Sequence, residues 1–275
     1  MLKRTIQIGI LGCGWLGKAT AQALIEKGFG VRGSVTSTDG TQELKDIGIE
    51  PFVISLKPRT PIDNLDAFLS GLQVLIIAIP PKFKKGETEF LDALKLMFKT
   101  YDFSAIQKLI YISSTGVFKD EKEVQYDEDS NPNNTSDRGK YLIELEDFIL
   151  NQNLVESKYI IRYGGLIKHG GRHPVHYLSG KKGIKNPDAP VNLIEQADAV
   201  NLLCKLVEHN PHRAIFHGVY PSHPSRIDYY VSKAKALNLS KPEFNTQQTS
   251  LGKTILSQKT QVELSFEFKS GITRH

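Results

Sequence analysis

Three features of the chain predict a doubly wound parallel α/β sheet. Short apolar runs alternate with amphipathic helical patterns from Ile6 through Tyr220, the sequence form of repeated βαβ units. The run Val74 to Ile79 is continuously apolar and stops at Pro80-Pro81, as a strand covered on both faces requires. Between the first run and the first helical pattern lies Gly12-Cys13-Gly14-Trp15-Leu16-Gly17, a G-x-G-x-x-G turn.

The first strand is expected over Ile6 to Leu11. The first helix follows over Lys18 to Lys27, with Ala19, Ala23 and Leu24 on one side and a stop at Gly28. Each glycine of the turn between them has a separate task. Gly12 permits the tight turn, Gly14 has no Cβ to obstruct a pyrophosphate, and Gly17 lets the helix approach the strand. The N–H groups of Trp15, Leu16 and Gly17 then sit at the positive helix end, where they bind phosphate oxygens. This strand-turn-helix frame marks a dinucleotide site.

The alternation continues with strands over Gly30 to Ser37 and Glu50 to Ser55, separated by a short helix over Thr41 to Ile47. Val74 to Ile79 is the fourth strand, and Gly86 to Tyr101 an amphipathic helix with Glu87 and Glu89 in its first turn, where the helix dipole favours them. Ile106 to Ser113 is the fifth strand, Gly139 to Asn151 the fifth helix, and Lys158 to Tyr163 the sixth strand. Lys119 to Arg138, acidic and Asn-rich, is expected as a loop over the carboxyl edge of the sheet. Beyond a stretch rich in Gly, Pro and His (Lys168 to Pro190), Val191 to Ile194 leads into a helix over Glu195 to His209. Ile215 to Tyr220 is a further strand, Arg226 to Leu237 a helix, and the rest a small mixed cap. Residues 1–165, joined by 191–219, thus form a Rossmann dinucleotide-binding domain, and 166–190 with 220–275 a small C-terminal substrate-binding lobe.

At 275 residues, 40% of them hydrophobic, the chain has ample material for such a core. The net charge of +5 comes from 35 basic residues dispersed among 30 acidic ones, so small anionic molecules are expected as ligands and nucleic acid is not. The two cysteines, Cys13 and Cys204, fit a reducing compartment. Met1-Leu2-Lys3-Arg4 passes straight into the first strand, and no apolar segment approaches the roughly 18 residues of a membrane helix. A cytoplasmic protein without membrane contact is expected.

Ligands of such sheets bind outside the carboxyl ends of the strands. The second strand ends Ser34-Val35-Thr36-Ser37-Thr38-Asp39. A carboxylate at the strand end would accept from a ribose 2′-OH and repel a 2′-phosphate. Here hydroxyls occupy that place, so Ser34, Thr36, Ser37 and Thr38 lean the choice toward NADP over NAD, while Asp39 reads equally as a ribose contact or as a turn capping the next helix.

The fifth strand ends Tyr111-Ile112-Ser113-Ser114-Thr115-Gly116-Val117-Phe118, and the next helix opens Ser136-Asp137-Arg138-Gly139-Lys140-Tyr141. With these, the loop Tyr126 to Pro132, Glu144 one turn beyond Lys140, Arg162-Tyr163-Gly164-Gly165-Leu166, and Val191-Asn192-Leu193-Ile194 running into Asp198, nearly the whole chain resembles the extended short-chain dehydrogenase/reductase superfamily, which contains the sugar-nucleotide epimerases and dehydratases. The resemblance implies an NAD(P) cofactor whose nicotinamide passes along Ala78, Ile79, Pro80 and Ser113 toward Tyr163. It matches Ser114 to the family's substrate-orienting hydroxyl and Lys140 to the lysine of its Tyr-x-x-x-Lys motif. Residues at i and i+4 share a helix face, so in the family the ammonium lowers the phenol's pKa and holds the ribose. Here the tyrosine position is Ser136. An alkyl hydroxyl is a far poorer acid than a phenol, which places the chain among atypical members.

Tyr126, Tyr163, His169 and His173 are the other proton donors in reach by sequence, while Tyr141 is about 100° round the helix from Lys140. His169, His173 and His176 do not match a closed zinc site, and no metal is expected. In relatives this region borders the substrate lobe, which implies Arg172 and His173 as substrate contacts. Two functions are compatible with these residues. One is an oxidoreductase or epimerase-like enzyme acting on a polar carbonyl or sugar-nucleotide-like small molecule. The other is a non-catalytic NAD(P)-binding regulator or sensor. A homodimer is also implied, since relatives often pair through the helices flanking the central strands.

Overall fold

The computed structural model describes residues 6–58, 61–81 and 89–273. β1 (Gln7–Leu11) leads through the glycine turn into α1 (Trp15–Glu26), β2 (Gly30–Val35), α2 (Asp39–Asp46) and β3 (Glu50–Val53). After α3 (Leu65–Leu69) the chain crosses back to β4 (Val74–Ile77), α4 (Glu89–Thr100) and β5 (Lys108–Ser114). There follow β6 (Val124–Tyr126), α5 (Asp137–Leu150), β7 (Ser157–Tyr163), β8 (Gly165–Ile167), α6 (Pro174–Leu178) and β9 (Leu193–Glu195). The chain ends through α7 (Gln196–Glu208), β10 (Ile215–Gly218), α8 (Arg226–Ala236), β11 (Lys253–Ile255) and α9 (Gln258–Glu263).

Seven parallel strands form the central sheet in the order β10-β7-β5-β4-β1-β2-β3, a Rossmann-like arrangement. The direction of winding reverses between β1 and β4, so their carboxyl ends diverge into a crevice. Alternation along each strand feeds two cores. Ile8, Ile10, Val74 and Ile76 face α1 and α7, and Leu11, Leu75, Ile77 and Tyr111 face α3, α4 and α5. All four residues of β4 are buried, as its unbroken apolar run requires.

A third apolar cluster, built from Ile167, Val175, Leu193, Tyr229 and Ile272, packs β8, α6, β9, α8 and the end of the chain together. Asp198, wholly buried, binds that last segment by accepting from the backbone N–H of Lys269 (3.1 Å) and Ser270 (2.8 Å). Asp198 is therefore more than a dipole-favoured carboxylate. Strand β6 lies inside the stretch expected as loop, and pairs in parallel with β11. A three-residue strand whose partner lies at the far end of the chain has no local signal. The helix expected over 86–101 is α4, whose expected opening at Gly86 and Glu87 lies outside the described residues.

Lys108 begins β5 with its side chain buried, and its ammonium donates to the carbonyls of Leu206 (2.8 Å), Val207 (2.7 Å) and His209 (2.7 Å). These are carbonyls of the last turn and C-cap of α7, whose end otherwise lacks donors for its terminal carbonyls. Lys108→Met is expected to lower the unfolding free energy by about 3 kcal/mol, since buried carbonyls lose charged donors. Urea denaturation checks this; a loss below about 0.5 kcal/mol would show that water satisfies them equally well.

Candidate functional site

The glycine turn sits in the crevice between β1 and β4, where Ala78 N–H donates to Leu11 O at 2.9 Å and closes the two strand ends together. Gly12 has φ +102°, and a Cβ there would stand 2.7 Å from Ile79 Cγ1. A Cβ on Gly17 would stand 2.5 Å from the Gly12 carbonyl oxygen, so α1 rests directly on the turn. A Cβ on Gly14, in contrast, would meet nothing within 4 Å. Gly14 caps α1 without a side chain, and the first helical N–H to reach a carbonyl is that of Lys18, to Gly14 O at 2.9 Å. Among the described residues the N–H groups of Trp15, Leu16 and Gly17 have no acceptor, and they open toward the space above Gly14.

Ser34 holds this turn from β2. Its hydroxyl accepts from Gly12 N–H (2.8 Å) and its carbonyl accepts from Cys13 N–H (2.7 Å), so Ser34 is a buried support for the turn, not a phosphate contact. Burial pushes the Cys13 thiol up to about 12, which leaves it unreactive. Thr36, Ser37 and Thr38 are exposed at the rim, and none of their hydroxyls has a partner among the described residues. Asp39 is the first residue of α2. An ion pair between Lys18 and Glu43 ties α1 to α2 behind this rim.

Ala78, Ile79 and Pro80 follow β4 along the same crevice, half-buried to exposed. At the end of β5, successive side chains face opposite ways. Ser114 is half-buried, and its hydroxyl accepts from Gly116 N–H at 3.1 Å, leaving its own proton to donate. Ser113 points inward and donates to Glu146 at 2.5 Å, so its hydroxyl is withdrawn from the nicotinamide path expected for it. Glu146 is itself buried and accepts from Arg162 Nε (3.1 Å) and Nη2 (2.7 Å), whose side chain is also buried. Glu146 therefore lies on the inward face of α5. The sequence carries a trace of this: Arg162 interrupts the stretch Tyr159 to Tyr163 of β7, and a buried guanidinium needs a carboxylate.

Ser136 is the N-cap of α5, its hydroxyl accepting from Gly139 N–H at 3.1 Å, and Lys140 is exposed one turn later. The alternative proton donors are all engaged elsewhere. Tyr163 is buried and donates to Ala199 O at 2.6 Å, so its ring packs in the core and offers a cofactor no hydroxyl. Tyr141 accepts from Leu91 N–H at 3.1 Å, turned toward α4. Tyr126 stacks on Phe118 and accepts from Asn133 at 2.9 Å. His173 caps α6 through Nδ1, which accepts from Val175 N–H (3.0 Å), while its Nε2 meets Tyr229 Oη (2.9 Å); it is a buried structural residue and not a substrate contact. His169 Nε2 meets Gly271 O at 3.0 Å. Arg172 is exposed, with its guanidinium carbon 5.4 Å from the centroid of the Trp15 ring. Among the described residues no three His, Cys, Asp or Glu side chains gather as metal ligands, and no helix is long and apolar enough to cross a membrane.

No family model matches the chain. Protein YeeZ of Escherichia coli (strain K12) is 30% identical over 271 residues, 96% of each chain. The chain belongs to the YeeZ family. Two solved structures share its fold. A functionally unknown conserved protein from Silicibacter pomeroyi DSS superposes with a TM-score of 0.76 at 19% identity, covering 97% of this chain and 94% of that one. A UDP-glucuronic acid 4-epimerase from Bacillus cereus in complex with NAD superposes with a TM-score of 0.74 at 16% identity, covering 98% and 95%.

Two outcomes follow from the buried groups. Glu146→Ala leaves the Arg162 guanidinium buried and unpaired, at an expected loss of about 3–5 kcal/mol, whereas replacing both residues by Met recovers most of it; denaturant titration of the three proteins measures the difference. Burial also holds the imidazoles of His173 and His217 down at about 4, with Lys233 and Arg162 as the respective neighbouring cations. An unfolded histidine takes its proton near pH ~6.5, so their contribution is complete above that pH and is lost as pH falls from about 6.5 to about 4. The loss is on the order of 3 kcal/mol per histidine, and His217→Gln is expected to flatten the unfolding free energy against pH in that window.

Proposed function

We propose that the chain binds an NAD(P) dinucleotide at Gly12, Gly14, Trp15, Leu16 and Gly17. The observation that carries this is the empty space over Gly14, bounded by three N–H groups with no acceptor at the positive end of α1. Gly12 and Gly17 are glycine for reasons of internal contact. Gly14 is not: its φ is −77° and a Cβ would touch nothing. A residue free of every internal demand, at the one place where a pyrophosphate must approach the backbone, fits a ligand requirement. NADP is the favoured form, because Thr36, Ser37 and Thr38 present unpartnered hydroxyls where a carboxylate would otherwise exclude the 2′-phosphate.

The reading extends to an oxidoreductase or epimerase/dehydratase-like enzyme acting on a polar carbonyl or sugar-nucleotide-like substrate. The Bacillus cereus neighbour acts on a UDP-sugar acid and holds NAD, which supports that class of substrate and cofactor. A bound dinucleotide supplies or accepts hydride. Ser114 donates its free proton to a substrate oxygen and orients it, and the exposed Lys140 ammonium binds the ribose hydroxyls. Ser136 stands at the place of the catalytic tyrosine.

The second reading, a non-catalytic NAD(P)-binding regulator or sensor, is favoured by a separate observation. Tyr126, Tyr141 and Tyr163 are all hydrogen-bonded away from the crevice, so no phenol among those considered replaces the missing one.

Calorimetric titration with NADPH and NADH tests the common ground. Gly14→Ala is expected to leave the melting temperature within about 2 °C while weakening nucleotide binding at least about tenfold; Gly17→Ala, driven against the Gly12 carbonyl, is expected to lower stability instead. Equal binding by Gly14→Ala and the parent protein would remove the turn from the site. Turnover of a carbonyl panel that disappears in Lys140→Ala selects the enzyme; tight binding without turnover, unchanged by Ser136→Tyr, selects the regulator.

A further inference from the structure

Arg172 lies in the segment between β8 and α6, yet its guanidinium stacks over the ring of Trp15, the first residue of α1. A cation contributed by that segment therefore stands beside the positive end of a distant helix. No carboxylate among the described residues pairs with Arg172, and none of its N–H groups makes a hydrogen bond there. Two like charges side by side are unfavourable until an anion comes between them. The contact leaves the guanidinium N–H groups without an acceptor among the described residues, and a free guanidinium fork can grip an anionic oxygen pair.

The segment that carries Arg172 is fixed from several sides. Lys168 N–H donates to Arg172 O at 2.8 Å, His169 Nε2 meets Gly271 O at 3.0 Å, and the next residue, His173, is locked between Val175 and Tyr229. On the other side, Gln196 at the start of α7 donates to Trp15 O at 3.1 Å. The Arg172–Trp15 contact is therefore a defined junction between two braced elements.

We propose that Arg172 is the small lobe's ligand for the pyrophosphate of the bound dinucleotide, and that the Arg172–Trp15 stack holds the lobe against the occupied turn. This rests on the nucleotide site proposed above and reassigns Arg172 from substrate to cofactor. A diphosphate could also come from a nucleotide-sugar substrate. The dinucleotide is the source argued here, because Trp15 supplies both the stacking ring and one of the free N–H groups.

Trp15 is the sole tryptophan of the chain, so its fluorescence reports on this junction directly. NADP+, UDP and 2′-AMP, which lacks a pyrophosphate, are titrated into the full-length protein and into Arg172→Ala and Arg172→Lys. Expected are a Trp15 signal on NADP+ binding and a loss of about 10- to 100-fold in NADP+ affinity in Arg172→Ala. Arg172→Lys is expected to fall between, with 2′-AMP affinity unchanged in all three. The dependence of NADP+ affinity on salt should flatten in Arg172→Ala. Unchanged NADP+ affinity with weakened UDP affinity would overturn the proposal and return Arg172 to the substrate; unchanged affinity for both would leave it no anion. Absence of NADP+ and NAD+ binding to the parent protein would instead overturn the nucleotide site itself. Thermal melting of the variants separates all of these from misfolding.

Discussion

The approach of α1 to the carboxyl end of β1 sets the conditions for everything else at this site. A Cβ on Gly17 would stand 2.5 Å from the Gly12 carbonyl oxygen, so no side chain fits there and the helix start rests in the mouth of the crevice between β1 and β4. Three unpaired N–H groups are delivered there as a consequence. Ser34 and Ala78 secure the same turn from the neighbouring strands, so its geometry is held whether or not a ligand is present. That is preorganisation: the fold alone fixes the position of these N–H groups.

Away from the turn, the crevice is braced by charge buried on purpose. Ser113, Glu146 and Arg162 link β5, α5 and β7 next to Ser114 and on the same helix as Lys140. A buried ion pair adds little net stability over an apolar equivalent, but it tolerates few alternative packings. Its position next to Ser114 and on the helix of Lys140 makes it a support for their relative placement. The cost of that arrangement is that Ser113 cannot also serve a ligand.

The legible part of the protein was whatever rested on local period and spacing. Alternating patterns located the seven sheet strands to within a few residues, because each is either continuously apolar or flanked by Gly and Pro. The glycine turn was legible because its three glycines obey three separate steric demands in a fixed order. The Glu146–Arg162 pair was not legible as a pair, since one helix cannot show what a strand sixteen residues later will place against it. β6 was read as loop because three residues have no period, and His173 as a ligand contact because a loop histidine in sequence looks the same whether it caps a helix or waits for a substrate.

The sequence by itself determined the doubly wound sheet and the position of the glycine turn, since each depends on neighbours within a few residues. Only the tertiary structure decided which hydroxyls and charges are available. Ser34, Ser113, Tyr126, Tyr141, Tyr163 and His173 all carry groups suited to a ligand, and long-range hydrogen bonds withdraw every one of them. Ser114, Lys140 and Arg172 remain open to the crevice or to solvent. Burying a polar group demands a partner, and which partner arrives is a property of the folded chain.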